Sequence, residues 1–303
     1  MRVEAINLDK HFKKVHAVNN LSFSIEPGRV TGFLGPNGSG KSTTMRLMLG
    51  LDNGSGQTLF DGKPLTDHSP VTRIVGAHLD AKFFHPKRTA FAHLRMLGSE
   101  AGVSKARVKE VLELVGLESV ATKRPGGFSL GMGQRLGLAS AILADPQVLM
   151  LDEPANGLDP QSIQWMRDFL RHYALLGRSV LVSSHLLSEM QLLADDLVVI
   201  AKGNLIAAEP IKEFLSRASA GSVVVRTTDS RRLAEALQAQ GLTLVASGVD
   251  ELRVPEVSSD RVGHIAFAAG VPILELRNET ASLESVFLEL TENVQEYRVG
   301  GAQ

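Results

Sequence analysis

Val30-Thr31-Gly32-Phe33-Leu34-Gly35-Pro36-Asn37-Gly38-Ser39-Gly40-Lys41-Ser42-Thr43 is the stretch that decides the fold. Its apolar start reads as a buried strand, the run from Gly35 to Ser42 satisfies G-x-x-x-x-G-K-[ST], and a helix pattern follows over 41–51. Strand, glycine-rich turn and helix in that order are the context this motif requires. The glycines let successive backbone N–H groups converge on an anion, and the helix N-terminus adds partial positive charge. Lys41 supplies a mobile ammonium, and Ser42 offers a hydroxyl to Mg2+.

Working outward, strand patterns over 3–8 and 21–25 precede the loop, and a hairpin signal lies around Leu59 to Lys63. Apolar residues then recur at helical spacing (Val108, Val111, Leu112, Val115) within 91–117, with Ser104 as N-cap, so a helical insertion is expected. Beyond Gly126-Gly127, helix over 130–144, buried strand over 148–151, helix over 160–176 and buried strand over 179–182 alternate. That alternation predicts a mostly parallel sheet covered on both faces. A hairpin follows over 196–208, and small residues over 216–221 mark a domain boundary, giving domains 1–215 and 216–303. The second domain reads β-α-β-β-α-β, an α+β, ferredoxin-like order, closed by a helix over 283–290. It carries no residue cluster resembling a site, so regulation, docking or assembly is expected of it.

Three further segments carry polar groups toward the same region. Val148-Leu149-Met150-Leu151-Asp152-Glu153 ends a strand in two carboxylates, at the edge where α/β sheets bind ligands. Side-chain alternation sends the two acids to different faces, so Asp152 holds Mg2+ while Glu153 faces a water, and Pro154 restricts Glu153 to extended backbone. His185 follows the strand that ends in Ser183-Ser184 and is placed to bond a terminal phosphate or align the attacking water. Ser129-Leu130-Gly131-Met132-Gly133-Gln134-Arg135 opens a helix with a serine and glycines, which makes a second anion-ready N-terminus beside one lysine loop. Two half-sites imply two chains; the plainer alternative is an ordinary Ser129 N-cap.

In this order the pieces resemble the nucleotide-binding subunits of ABC transporters over about 3–208, the P-loop ABC cassette with its helical insertion. Gly35 to Ser42 is similar to the Walker A loop, Val148 to Glu153 to Walker B, Asn156-Gly157-Leu158-Asp159 to the D-loop, and His185 to the switch histidine. The signature resembles LSGGQ, with Leu130 replacing its first glycine and Met132 its glutamine. That form is similar to the branch partnered with separate ABC-2-type permeases, exporters of drugs and antibiotic peptides. By position after Ile74-Val75-Gly76, Asp80 stands where the family has the Q-loop glutamine, and would meet the metal with negative charge.

The resemblance implies that ATP and Mg2+ are bound. Phe12 would stack on adenine. Gly35, Pro36, Asn37, Gly38, Ser39, Gly40, Lys41, Ser42 and Thr43 would hold phosphates, and Ser42, Asp152 and Asp80 the metal. Glu153, His185 and Lys41 would be catalytic. Ser129, Gly131 and Asp159 would come from a second cassette, a homodimer being expected. Cargo would pass through a separate transmembrane permease, contacted near Phe83 to His93, with the cassettes cytoplasmic on the inner face of the membrane. Two rivals remain: a soluble ABC ATPase acting on ribosomes or DNA, and a non-hydrolysing module that binds ATP only to dock.

Composition agrees. The 303 residues are 44% hydrophobic and 21% charged, a globular range. With 32 basic against 33 acidic residues the net charge is -1, so no nucleic-acid partner is expected. Zero cysteines exclude disulfides and thiolate chemistry. The start MRVEAINLDKHF reads as a strand rather than a signal peptide, and no apolar run approaches a membrane span, so any membrane role is expected to come through a partner.

Overall fold

The computed structural model describes residues 1–80, 84–85, 87–216, 222–246, 250–255, 257–279, 283–284 and 286–287. Two compact units are present, Met1–Pro210 and Ile211–Glu292.

The first unit opens with a long hairpin, β1 (Val3–Phe12) and β2 (Val15–Ile25), followed by β3 (Val30–Leu34) and α1 (Lys41–Met48). Next come β4 (Ser55–Phe60), β5 (Lys63–Pro64) and β6 (Val75–His78), then α2 (Ala90–Glu100), α3 (Lys105–Leu114) and α4 (Leu130–Ile142). The remainder is β7 (Val148–Leu151), α5 (Pro160–Leu175), β8 (Ser179–Ser183), α6 (Leu187–Leu193), β9 (Asp196–Ala201) and β10 (Asn204–Pro210).

Six of these strands form one sheet in the order β10-β9-β3-β8-β7-β6. All its pairs are parallel except the edge strand β10, which pairs antiparallel with β9. Every residue of β3, β7 and β8 is buried, as strands covered on both faces must be. Because β3 neighbours β8 and β8 neighbours β7, the chain segments leaving their carboxyl ends emerge side by side. The turn into β10 has positive φ at both Lys202 and Gly203, the geometry of a two-residue hairpin.

A second, antiparallel sheet runs in the order β2-β1-β4-β5; its strands were expected in part, over 3–8 and 21–25 and in the hairpin around Leu59 to Lys63, but not their assembly into one sheet. Register shifts at Ala5/Leu8, Leu8/Lys10 and Lys10/His11 break the alternation of the first strand, so its continuation to Phe12 shows no clean period. This sheet faces the parallel one across a shared core that includes Val3, Leu21, Phe23 and Ile25 on one side and Phe33, Met150 and Ile200 on the other, with Met45 and Met48 of α1 between. The helical insertion is two helices rather than one pattern: Gly102, at φ 66°, ends the first, and Ser104 caps the second by accepting from the Arg107 N–H at 3.1 Å. The expected permease-facing stretch falls at the start of this insertion; Phe83 lies outside the described residues, and His93 is buried on α2.

The second unit contains α7 (Ile211–Ser216), β11 (Ser222–Thr227), α8 (Ser230–Ala239), β12 (Val245–Ala246), β13 (Glu251–Val254), α9 (Ser259–Ala268) and β14 (Ile273–Glu279). Its sheet runs β12-β13-β11-β14, all antiparallel, the layout of two interleaved β-α-β halves. Val223 and Val225 of the sheet pack with Leu233 and Leu237 of α8 and Val262 and Ala266 of α9. The expected closing helix falls largely outside the described residues; Leu283, Glu284, Val286 and Phe287 within it are helical.

Strand β6, also unread in the sequence, lies against α4 so closely that a Cβ at Gly76 would collide with the Ala141 carbonyl. Gly76→Ala should therefore push α4 from the sheet and destabilise the protein by about 1–3 kcal/mol. Denaturant unfolding reads this directly, and an unchanged midpoint would contradict the contact.

Candidate nucleotide site

The phosphate loop leaves β3 at the middle of the parallel sheet and is clamped by backbone. The Gly203 N–H donates to the Ser39 carbonyl at 2.9 Å, and the Asn19 N–H donates to the Gly203 carbonyl at 2.8 Å, so the loop is tied to both β2 and the β9–β10 turn. Gly40 has φ 108°, and a Cβ there would strike the Ala17 carbonyl, so glycine is required on both counts. Lys41 is buried, with Nζ donating to the Gly35 and Pro36 carbonyls at 2.7 and 3.3 Å. Burial pushes its pKa below that of a free lysine, while the charges of Glu153 and Asp152 oppose the shift. The Ser39 hydroxyl is also buried and has no hydrogen-bond partner, leaving a donor open within the loop.

Asp152 is held from two sides. One carboxylate oxygen accepts from the Ser42 hydroxyl at 2.5 Å, and the other accepts from the Ser183 hydroxyl. Ser183 in turn accepts from the Glu153 N–H at 3.0 Å. The sequence reading missed this serine. Its only signal was its place at the end of a buried strand, two residues before His185.

Glu153 corrects two expectations. β7 ends at Leu151, so strand alternation no longer governs the two acids, and both Asp152 and Glu153 line the same cleft. Nor is Glu153 extended: its φ is 50°, and the chain turns there, with the Asn156 N–H donating to its carbonyl at 3.1 Å. Proline disfavours the right-handed helical region for its predecessor. The turn is made through the left-handed one instead, and such strained conformations concentrate at functional sites. The Glu153 carboxylate accepts from His185 Nδ1–H at 2.6 Å and from the His185 backbone N–H at 3.3 Å.

One cleft of about 250 Å³ gathers Phe12, Ala17, Asn37, Gly38, Ser39, Gly40, Lys41, Ser42, Thr43, Asp152 and Glu153. Phe12 is half-exposed at its rim, with Lys10 Nζ 4.8 Å from the ring centre. Four of the expected residues stand elsewhere. Ser129 is exposed at the start of α4, where it accepts from the Met132 N–H at 3.2 Å. Gly131 lies beside Leu158, and a Cβ on Gly157 would collide with Leu130, so the signature helix rests on the D-loop. Asp159 caps α5, accepting from the Ser162 N–H at 2.8 Å, a bond that holds its carboxyl below the usual range. Asp80 is exposed just beyond β6 and is not among the residues lining the cleft. The strand β6 that precedes it is held to α4 through His78, which is buried and donates from Nε2 to the Gln134 amide oxygen at 2.9 Å.

These features define a P-loop nucleotide site. The chain belongs to the ABC transporter ATP-binding family. A sequence model described as ABC transporter matches residues 18–156, and one described as a domain of unknown function matches 221–284. The chain is 36% identical to the uncharacterized ABC transporter ATP-binding protein YhcH of Bacillus subtilis strain 168 across 97% of both chains. It is 35% identical to the lantibiotic transport ATP-binding protein SrtF of Streptococcus pyogenes, covering 66% of this chain and 87% of that one. Among solved structures, an ATP-binding subunit of an ABC transporter superposes with a TM-score of 0.65 at 24% identity, over 72% of this chain and 93% of the other. That likeness shows the cassette fold.

Ser183→Ala removes the donor to Asp152 and the acceptor for the Glu153 N–H together. The expected cost is about 1–3 kcal/mol in unfolding free energy. Chemical denaturation measures it, and a variant as stable as the parent would mean these bonds hold nothing.

Proposed function

We propose that this chain is the ATP-hydrolysing motor subunit of an exporter, working as a head-to-tail pair of cassettes beneath a separate membrane permease. The observation that carries this reading is the division of the site. Lys41, Ser42, Asp152 and Glu153 line one cleft, whereas Ser129, exposed, and Gly131, partly buried beside Leu158, lie on another part of the same unit. At about 250 Å³ the cleft is smaller than the roughly 300–1,000 Å³ typical of sites that enclose a ligand. A second cassette bringing Ser129 and Gly131 over it would finish the enclosure and exclude water.

The residues present fit the nucleotide and its metal. Gly35 to Thr43 offer N–H groups, the Lys41 ammonium and the open Ser39 hydroxyl to the phosphates, and Phe12 offers its face to adenine. Ser42 and Asp152 are hard oxygen donors and would hold Mg2+, which supplies charge neutralisation at the transferring phosphate. Asp80 is proposed as a further, outer ligand reached on closure. Glu153 takes a proton from water as the water oxygen bonds to the γ-phosphorus. The bond from that phosphorus to the bridging oxygen breaks, and the electron pair leaves with ADP. His185 holds the Glu153 carboxylate in place through the 2.6 Å bond, and Lys41 offsets the charge gathering on the phosphate oxygens. Asp159 from the second cassette would approach from its cap on α5.

Export, the permease partner and attachment at the inner face of the membrane rest on the Ser-Leu-Gly-Met signature and on likeness to a relative named for lantibiotic transport. No described helix is long and apolar enough to cross a membrane, so the permease would be a separate chain. The second unit, expected over 216–303, is proposed to serve regulation, docking or assembly.

Glu153→Gln should bind ATP, lose at least about 100-fold in turnover, and accumulate an ATP-dependent dimer seen by light scattering. A variant that stays monomeric with ATP would overturn the paired reading. Asp80→Gln should shift the Mg2+ concentration needed for half-maximal turnover; an unaltered Mg2+ profile would remove Asp80 from the metal shell.

A further inference from the structure

The β1–β2 hairpin carries a group of side chains that the nucleotide chemistry does not use. His11 and His16 are cross-strand partners, and Asp9 lies two residues before His11. The two imidazoles stack with centroids 3.7 Å apart. His16 Nε2–H donates to one Asp9 oxygen at 2.8 Å, and His11 Nε2 lies 3.7 Å from the other. One ligand atom from each residue falls within 4.8 Å of the other two. A tetrahedral zinc ion with bonds of about 2.0–2.1 Å sets its ligand atoms roughly 3.4 Å apart, so small side-chain rotations would close the group around one ion.

We propose that Asp9, His11 and His16 form a binding site for a first-row transition-metal dication of the zinc class. Two imidazole nitrogens and a carboxylate suit zinc, copper or nickel, whereas Mg2+ and Ca2+ seek all-oxygen shells. The site is thereby chemically separate from the oxygen donors Ser42 and Asp152. His11 is exposed, and His16 and Asp9 are partly so, which gives the ion a path and a fourth position for water. The Asp9 carboxylate is fixed in place by the hydrogen bond from His16 and by the Asn20 N–H at 3.2 Å. Lys10, the neighbouring cation, directs its ammonium away, toward the Asn53 carbonyl and the Phe12 ring. Bound metal would cross-link β1 to β2 one pair before the Phe12–Val15 pair that closes the hairpin.

Calorimetric titration of the nucleotide-free protein with zinc should show one site per chain that excess Mg2+ does not displace. His11→Ala and His16→Gln should each weaken it more than about tenfold, and His172→Ala, remote in sequence on α5, should leave it intact. His16→Gln keeps a side-chain amide able to bond Asp9, and far-UV circular dichroism confirms that each variant is folded. No zinc binding, or equal binding by the folded hairpin variants and the parent, would overturn the proposal.

Discussion

The Asp152 carboxylate bridges the Ser42 and Ser183 hydroxyls, and the rest of the site depends on that bridge. It ties the start of α1, the end of β7 and the end of β8 into one cluster. Each bond is local, yet the residues it joins are far apart in the chain, so only the parallel order β3-β8-β7 brings them together. Ser183 extends the cluster to the Glu153 N–H, and Glu153 extends it to His185. A shift of any one of these three strands would misplace Ser42, Asp152 or Ser183 relative to the other two.

The second constraint is the separation of the signature from the cleft. Ser129 caps α4 from an exposed position, and Leu130 occupies the space over Gly157 that a side chain there would need. The α4 helix is also pinned to β6 by the His78–Gln134 bond and to α5 through Arg135, whose guanidinium donates to Ser162 and lies 4.6 Å from the Trp165 ring centre. These bonds join the signature helix to the D-loop helix and to the strand preceding Asp80. Motion of one is therefore felt by the others, which is the physical basis proposed for passing nucleotide closure to a permease.

Much of this was legible in the sequence because the phosphate motif ties residue type to backbone geometry. Gly35 to Ser42, the largely apolar strands around Val30, Val148 and Val180, and the alternation of helices with strands make the parallel sheet legible without a structure. Signals built from irregularity were not legible. The β1 bulges obscured how the strands over 3–8 and 21–25 and the hairpin near Leu59 join into one antiparallel sheet, and the four-residue β6 carries too short a pattern to separate from loop. Glu153 misled because the rule for a residue before proline describes the average, while this one sits in a turn that the cluster around Asp152 over-determines. Ser183 and the Asp9–His11–His16 group consist of ordinary residue types whose meaning arises only from cross-strand contact.

The central claim is that nucleotide is trapped between two copies of this chain, and the absence of native cysteine makes it directly measurable. Two single variants, Asn37→Cys and Ser129→Cys, would be mixed with ATP under mild oxidation and resolved on a non-reducing gel. The account predicts a disulfide-linked pair in the mixture that requires ATP and is missing from either variant alone. A mixture that stays uncrosslinked while ATP is bound would contradict it.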